Sequence, residues 1–454
     1  MGLVKDGNHV VIETGEGKVF GNRKGGCLEF LGIPYARAGR FEYPEMIVRG
    51  KEMFDASEAG TACPQSRQWF PHLDVPERLF YHKEFREGLE VAYDEDKCLN
   101  LNIYAPEGRK ECPVIVFIHG GGFNSGSNLE EPFRGFGLAE RGIVSVFINY
   151  RVGILGYLTS PEIREETGLD GNFGLHDQLA ALKWVKNHIS DFGGDPENIT
   201  AMGQSAGAIS IQYMCLDRKN KGLFSKAAML SGAGLFPKFA LPRTAEKTHE
   251  YWKAFMKSAE CGTVDELRRL DVRDLFEKLE NFKSGRKDNV YNTMPVIDGC
   301  LLERPIEEMM GAPLDISYLI GFTGNDMYAP LMAKIGLDFA GNNGGYAYYF
   351  DVAAPGDRNG AFHSSDLRYV FGRLGTSWRP YTKEDERISH MMMDYIANFA
   401  KTGDPNGEDL PRWEPVGRRS GKPLRFRRDK VSAEKPNYLK LIYNMLSKGE
   451  PKAF

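Results

Sequence analysis

The chain has 454 residues, 42% of them hydrophobic and 12% aromatic, and a formal net charge of -4. That is enough apolar material for a large core, while a slightly acidic balance without an aromatic-interleaved basic stripe speaks against nucleic acid as a partner. Seven cysteines at irregular spacing, with no C-x-x-C, supply neither a disulfide framework nor metal-ligand pairs, so no metal and no cofactor are expected.

In chain order, residues 1–60 read as short strands and turns, and 98–104 as a strand. Pro113-Val114-Ile115-Val116-Phe117-Ile118 is a continuous apolar run rich in β-branched residues, as expected of a strand buried on both faces of a parallel sheet. A further strand is predicted over 143–150, and an amphipathic helix over 176–192 with Leu179, Leu182, Trp184, Val185 and Ile189 as its apolar set. Ile199-Thr200-Ala201-Met202 reads as a strand and 208–213 as a helix. The stretch 236–290 changes texture: 244–258 and 263–282 are charged and helix-patterned, the second opening on Thr263 and Glu266 as a capping box. Such helices either roof a cleft or cover a sheet face. Strands are predicted over 315–322 and 346–352, and a helix over 384–401. Arg418, Arg419, the run 425–428 and Lys430 read as a solvated C-terminal loop. Met1-Gly2-Leu3-Val4-Lys5 begins no apolar leader and no run approaches the roughly 20 apolar residues of a membrane span, so a cytoplasmic setting is expected.

Between a predicted strand and a predicted helix stands Gly203-Gln204-Ser205-Ala206-Gly207. A turn that lifts a serine off a sheet edge strains its φ/ψ and leaves no room for side chains two positions either way, which is where Gly203 and Gly207 lie. Ser205 is therefore the candidate nucleophile. A serine hydroxyl is weakly nucleophilic at its own pKa, so acyl transfer requires an oxyanion site, a base and an acid to orient that base. The strand 113–118 runs into His119-Gly120-Gly121-Gly122-Phe123, whose glycines let backbone N–H groups converge on one developing negative oxygen.

In a strand–turn–helix serine hydrolase the chain order is serine, acid, histidine. Of nine histidines only His249, His363 and His390 follow Ser205. His249 and His390 sit in helical patterns, whereas His363 lies in a Gly-, Pro- and Asp-containing loop beyond the strand 346–352, where a functional imidazole is wanted. Among the acids, Asp326 follows the buried strand 315–322 in the turn Thr323-Gly324-Asn325-Asp326. Its competitor, Asp298 before Gly299, reads as a turn aspartate. Residues that must meet in one cleft are spread over most of the chain, which makes 1–454 a single α/β domain with a helical insertion at about 236–290 rather than the three domains that length alone suggests.

The residues resemble the type B carboxylesterases, which include cholinesterases and bacterial p-nitrobenzyl esterases. The likeness covers nearly the whole chain: Phe30-Leu31-Gly32-Ile33-Pro34-Tyr35-Ala36, Cys98-Leu99-Asn100-Leu101-Asn102, the loop 119–123, Asn149-Tyr150-Arg151-Val152-Gly153, Asp177-Gln178 with Trp184, Phe192-Gly193-Gly194-Asp195-Pro196 and the Ser205 turn. The resemblance implies an α/β-hydrolase fold: a large, mixed, mostly parallel sheet flanked by helices. It implies Ser205 as nucleophile, His363 as base and Asp326 as acid, with an oxyanion hole from the N–H groups of Gly121, Gly122 and Ala206. It also implies a buried structural ion pair between Arg151 and Asp177.

Several departures stand out. Gln204 replaces the usual Glu before the serine, which removes an attraction for cationic substrates. Asp326 before Met327 replaces the usual Glu-Gly, one methylene shorter, so its loop must come closer to His363. Cys63 and Cys98 match a pair bridged in secreted relatives, but without a leader reduced thiols are expected. Trp69 lies in that loop in surroundings unlike those of the choline-binding tryptophan of cholinesterases, and the chain's shortness trims loops around the entrance. The function expected is hydrolysis of carboxylic esters, short-chain or aryl first. Lipase, amidase or thioesterase chemistry on the same residues is the alternative, and a non-catalytic binding relative is the reading from another class.

Overall fold

The computed structural model describes residues 7–66, 76–232, 242–286, 292–309, 313–417 and 422–447. Trp69 and Arg418 and Arg419 lie outside the described residues.

Twelve strands run across one mixed sheet in the spatial order β1-β2-β3-β4-β6-β5-β7-β8-β9-β10-β11-β12. They are β1 (His9–Thr14), β2 (Gly17–Lys24), β3 (Cys27–Pro34), β4 (Asn100–Pro106), β5 (Cys112–Ile118), β6 (Val144–Ile148), β7 (Gly194–Gln204), β8 (Lys226–Leu230), β9 (Ser317–Thr323), β10 (Tyr346–Phe350), β11 (Leu424–Phe426) and β12 (Val431–Ala433). A short thirteenth strand, Phe54–Asp55, pairs with β2. From β6 to β11 every neighbouring pair is parallel, whereas β1 to β4, the β4–β6 pair and β12 are antiparallel. Parallel strands need crossovers that cover both faces. Accordingly Val114, Val116 and Ile118 of β5 and Ile115 and Phe117 on its opposite face are all buried, in two separate apolar layers.

One layer is closed by α1 (Phe173–His188), which presents Leu175, Leu179, Leu182, Trp184 and Val185, and by α2 (Ala206–Leu216), which is buried all round. The predicted helix 176–192 thus starts three residues earlier and ends as a 3₁₀ turn, Ile189–Phe192.

The insertion forms α3 (Glu246–Ser258), α4 (Val264–Arg269) and α5 (Val272–Lys283). A third apolar cluster joins Tyr251, Trp252, Phe255, Leu275, Phe276 and Leu279 of these helices to Ile154, Leu155 and Phe173. Arg243–Thr244 pairs in parallel with Val296–Ile297, so the chain enters and leaves the insertion side by side. The single helix predicted over 263–282 is two helices, broken at Leu270 and Asp271. Two causes act there: Asp271 caps the second helix through the Arg273 N–H (2.8 Å), and the Arg40 guanidinium takes the carbonyls of Leu267 and Leu270 at 2.9 and 2.6 Å. At the start of α4 half of the expected capping box is present. Thr263 Oγ1 accepts from the Glu266 N–H, but the Glu266 carboxylate takes the N–H of Gly262 in place of that of Thr263.

α6 (Ala329–Asn342), α7 (Lys383–Thr402) and α8 (Tyr438–Ser447) complete the cover; α7 matches the helix predicted over 384–401. No helix among the described residues is long and apolar enough to cross a membrane.

Reduced thiols were expected at Cys63 and Cys98, and the structure corrects this: the two form a disulfide, with Cα atoms 4.8 Å apart. The deciding fact is tertiary. The bridge joins buried positions 35 residues apart whose approach no local pattern encodes. The five other cysteines are free. Thiol titration of the denatured, unreduced protein is therefore expected to count five thiols, and seven after reduction. Replacing Cys63 and Cys98 by serine should lower stability by about 3 kcal/mol, read by denaturant unfolding; an unchanged midpoint would deny the loop constraint.

Candidate active site

The C-terminal ends of β5, β7, β9 and β10 point the same way, and each carries one sequence-predicted element into the crevice outside the sheet edge. Ser205 follows β7 with φ 55° and ψ -123°, outside the regions open to ordinary L-residues, and is held by its N–H donating to the Leu230 carbonyl at 2.8 Å. The turn is as crowded as its glycines predict. A Cβ on Gly203 would lie 2.6 Å from the Gly207 carbonyl carbon, and one on Gly207 would lie 2.0 Å from the Ile118 carbonyl oxygen. Beyond β5, Gly121 has φ 110° and its Cβ would lie 2.0 Å from the Ser125 carbonyl oxygen. The N–H groups of Gly121, Gly122 and Ala206 donate to no group among the described residues, and the N-terminus of α2 begins at Ala206. Unspent donors at a helix start are what a developing oxyanion needs.

Asp326 and His363 meet. His363 Nδ1 lies 2.5 Å from Asp326 Oδ1, with both side chains buried. The shorter acid is accommodated by its loop: Asn325 forms a parallel bridge with Phe362, its N–H donating to the Ala361 carbonyl at 2.7 Å and its amide to the Asn359 carbonyl at 2.8 Å. Asp326 also accepts from Ser231 Oγ (2.6 Å), the Thr323 N–H (3.1 Å) and the Met327 N–H (2.9 Å). Burial by itself would raise its pKa, but attraction to His363 and these hydrogen bonds together hold the carboxyl below its ordinary value. It stays a carboxylate.

The Ser205 hydroxyl makes no hydrogen bond among the described residues. His363 Nε2 instead faces Gln204 Nε2 at 3.0 Å, and the same amide nitrogen donates to Ser364 Oγ at 2.7 Å. The other histidines are engaged elsewhere: His249 on α3 with Asp170 (2.6 Å), His390 on α7 with Arg141 (3.1 Å). His119 stacks on Tyr150 with its pKa lowered to about 4, chiefly by burial. Asp298 keeps its turn, accepting from the N–H groups of Cys300, Leu301 and Leu302. Arg151 and Asp177 form the buried pair, with Nε–Oδ2 at 2.8 Å and Nη2–Oδ1 at 2.7 Å.

The Carboxylesterase family matches residues 8–338 and 328–441. The chain belongs to the carboxylesterase family. It is 30% identical over 468 residues to a para-nitrobenzyl esterase of Bacillus subtilis (strain 168), covering 88% of this chain and 91% of that one. It is likewise 30% identical over 516 residues to a bile salt-activated lipase of Mus musculus, covering 90% of this chain and 81% of that one. A solved PNB esterase structure superposes with a TM-score of 0.81 at 27% identity, covering 96% of this chain and 99% of that one. The fold is the α/β-hydrolase fold and the activity is that of a serine carboxylesterase, a carboxylic ester hydrolase.

Three groups around this carboxylesterase's site escaped the sequence reading. Ser231 stands at the end of β8, followed by Gly232, whose Cβ would lie 2.4 Å from the Ser205 carbonyl oxygen; the pattern of strand, serine and glycine was its available signal. Ser364 is adjacent to His363 and carried no signal. Asp366 is fully buried, accepts from Tyr348 at 2.5 Å through Oδ2, and has no partner for Oδ1 among the described residues. Burial above all raises its pKa to about 6, against the Tyr348 hydrogen bond. A carboxyl that holds its proton more tightly folded than unfolded contributes stability below the unfolded value, near 4, and loses it as pH rises through about 6. Asp366→Asn should therefore stabilise the protein by on the order of 3 kcal/mol at pH 8, with the gain vanishing below pH 4. Unfolding curves of both proteins across that range would refute this if the difference did not change with pH.

Proposed function

We propose that Ser205, His363 and Asp326 perform two-step acyl transfer. His363 Nε2 takes the Ser205 proton as Oγ attacks the ester carbonyl, while Asp326 keeps the Nδ1 proton in place and balances the charge that forms on the ring. The tetrahedral oxygen is received by the N–H groups of Gly121, Gly122 and Ala206. Collapse expels the alcohol, which leaves with the proton from Nε2, and water then repeats the sequence on the acyl-enzyme. The observation that carries the reading is the convergence at one sheet edge of a strained serine, an imidazole already 2.5 Å from a buried carboxylate, and unspent backbone donors.

For the substrate we favour short-chain and aryl esters, in keeping with the similarity to a para-nitrobenzyl esterase. Gln204 puts a neutral amide beside the serine, where a carboxylate would attract a cationic alcohol. The similarity to a bile salt-activated lipase supports long-chain esters as the second reading. As to setting, the Cys63–Cys98 bridge speaks for an oxidising compartment over the expected cytoplasm.

Hydrolysis of p-nitrophenyl esters from acetate to palmitate is expected to peak at short chains; a peak at palmitate would move the enzyme to the lipases. Ser205→Ala should lower kcat on the order of 10⁶-fold and Asp326→Asn on the order of 10⁴-fold. Retention of most activity by Ser205→Ala would overturn the assignment.

A further inference from the structure

A neutral imidazole has one donor nitrogen and one acceptor nitrogen. In His363 the donor is Nδ1, committed to Asp326, so Nε2 carries the only lone pair in the ring plane. Gln204 occupies it. The amide nitrogen of Gln204 stands 3.0 Å from Nε2 and 2.7 Å from Ser364 Oγ, so both its protons are spent on the loop that carries the base. Gln204 is buried, and its Oε1 lies beside Gly120, where a Cβ would come within 2.5 Å of it. Ser205, the next residue along, has no partner for its hydroxyl among the described residues.

Resting on the triad reading above, we propose that Gln204 is a positioning residue that occupies the base nitrogen of His363 in the unliganded enzyme, so that the Ser205–His363 contact forms only when the amide gives way. Ser364 makes the release reversible. Its hydroxyl now accepts from the Gln204 amide nitrogen, and it can equally donate to the amide oxygen once the amide has turned over. In the turned state Oε1 lies beside Nε2–H of the imidazolium, which has just taken the Ser205 proton and passes it on to the leaving alcohol; Nδ1 keeps its own proton, Asp326 remains ionised, and Gln204 gains and loses none. A glutamine serves both protonation states because one end of its amide donates and the other accepts. A glutamate, when ionised, only accepts, and cannot make the resting bond to an unprotonated Nε2. The other ionisable groups around this imidazole are Asp326 at Nδ1, Asp366 three residues on, and Tyr81, whose hydroxyl donates to the His363 carbonyl.

The test uses the full-length enzyme and diethyl p-nitrophenyl phosphate, a small uncharged reagent that phosphorylates an activated serine with release of p-nitrophenol and brings little binding energy of its own. Gln204→Leu is expected to raise the rate of Ser205 phosphorylation about fivefold, the worth of one neutral hydrogen bond. An unchanged or slower rate overturns the proposal. Gln204→Glu, which matches the native shape, should shift the acid limb of the kcat/KM profile upward, because the carboxylate holds a proton on Nε2; a profile overlaying the wild type would remove the contact altogether. A third measurement stands even if position 204 tolerates no change. The ¹⁵N resonance of His363 Nε2 at neutral pH should be the same in wild type and Ser205→Ala, since its partner is Gln204, and a shift in Ser205→Ala would assign the bond to the serine and overturn the proposal. Phosphorylation at a residue other than Ser205 would sink the triad reading instead, and leaves the resonance comparison to decide the resting contact.

Discussion

Everything at this site depends on how closely the Ser205 turn approaches the end of β5. The missing Cβ of Gly207 would sit 2.0 Å from the Ile118 carbonyl oxygen and that of Gly203 2.6 Å from the Gly207 carbonyl carbon, so the turn exists only because both residues are glycine. The approach brings the β5 loop alongside the serine: a Cβ on Gly120 would lie 3.0 Å from Ser205 Cβ. The same contact therefore sets the strained backbone of the nucleophile and the placing of the backbone donors beside it. Strain of this kind, of order 1–3 kcal/mol for a residue, persists only where the surroundings over-determine it. Here they do so through the buried strands on either side, β5 and β8, which pair with the C-terminal half of β7 over Ile199–Gly203 and Thr200–Gln204.

Around that turn the protein buries charge, and each instance has its own solution. Arg151 and Asp177 neutralise one another bidentately, with the remaining guanidinium N–H groups on the carbonyls of Gly39 and Glu42. Removing one partner of such a pair typically costs 3–5 kcal/mol, although the pair itself adds little against an apolar equivalent, so it pins the strand end beside the site more than it strengthens the core. Asp326 is kept ionised by four donors, counting His363. Asp366, with one donor and an orphaned oxygen, is driven toward its neutral form. Two buried carboxyl groups near one imidazole thus have their affinities for a proton pushed in opposite directions, Asp366 upward by burial and Asp326 downward by attraction to His363 and its hydrogen bonds against the same burial, which leaves the negative charge on the one that touches Nδ1.

The alternation of strands and helices, the sharp turn at Ser205, the glycine loop beyond Ile118, and the candidate acid and base at strand ends are all legible in the residues. These are local matters: apolar runs of strand length, glycines where a Cβ cannot fit, and turn residues after a buried strand each leave their mark within a few residues. The family resemblance added the Arg151–Asp177 pair. Contacts between segments far apart in the chain come from the packed fold instead. Cys63 and Cys98 close a bridge because their Cα atoms come within 4.8 Å, and at the break between α4 and α5 the local Asp271 cap is joined by Arg40, more than 200 residues away, which takes two carbonyls there. The same holds for the partner of His363 Nε2. Gln204 was legible as a departure from the family, but that its amide reaches the base across 159 residues depends on where two loops meet in space, which no periodicity or local propensity encodes.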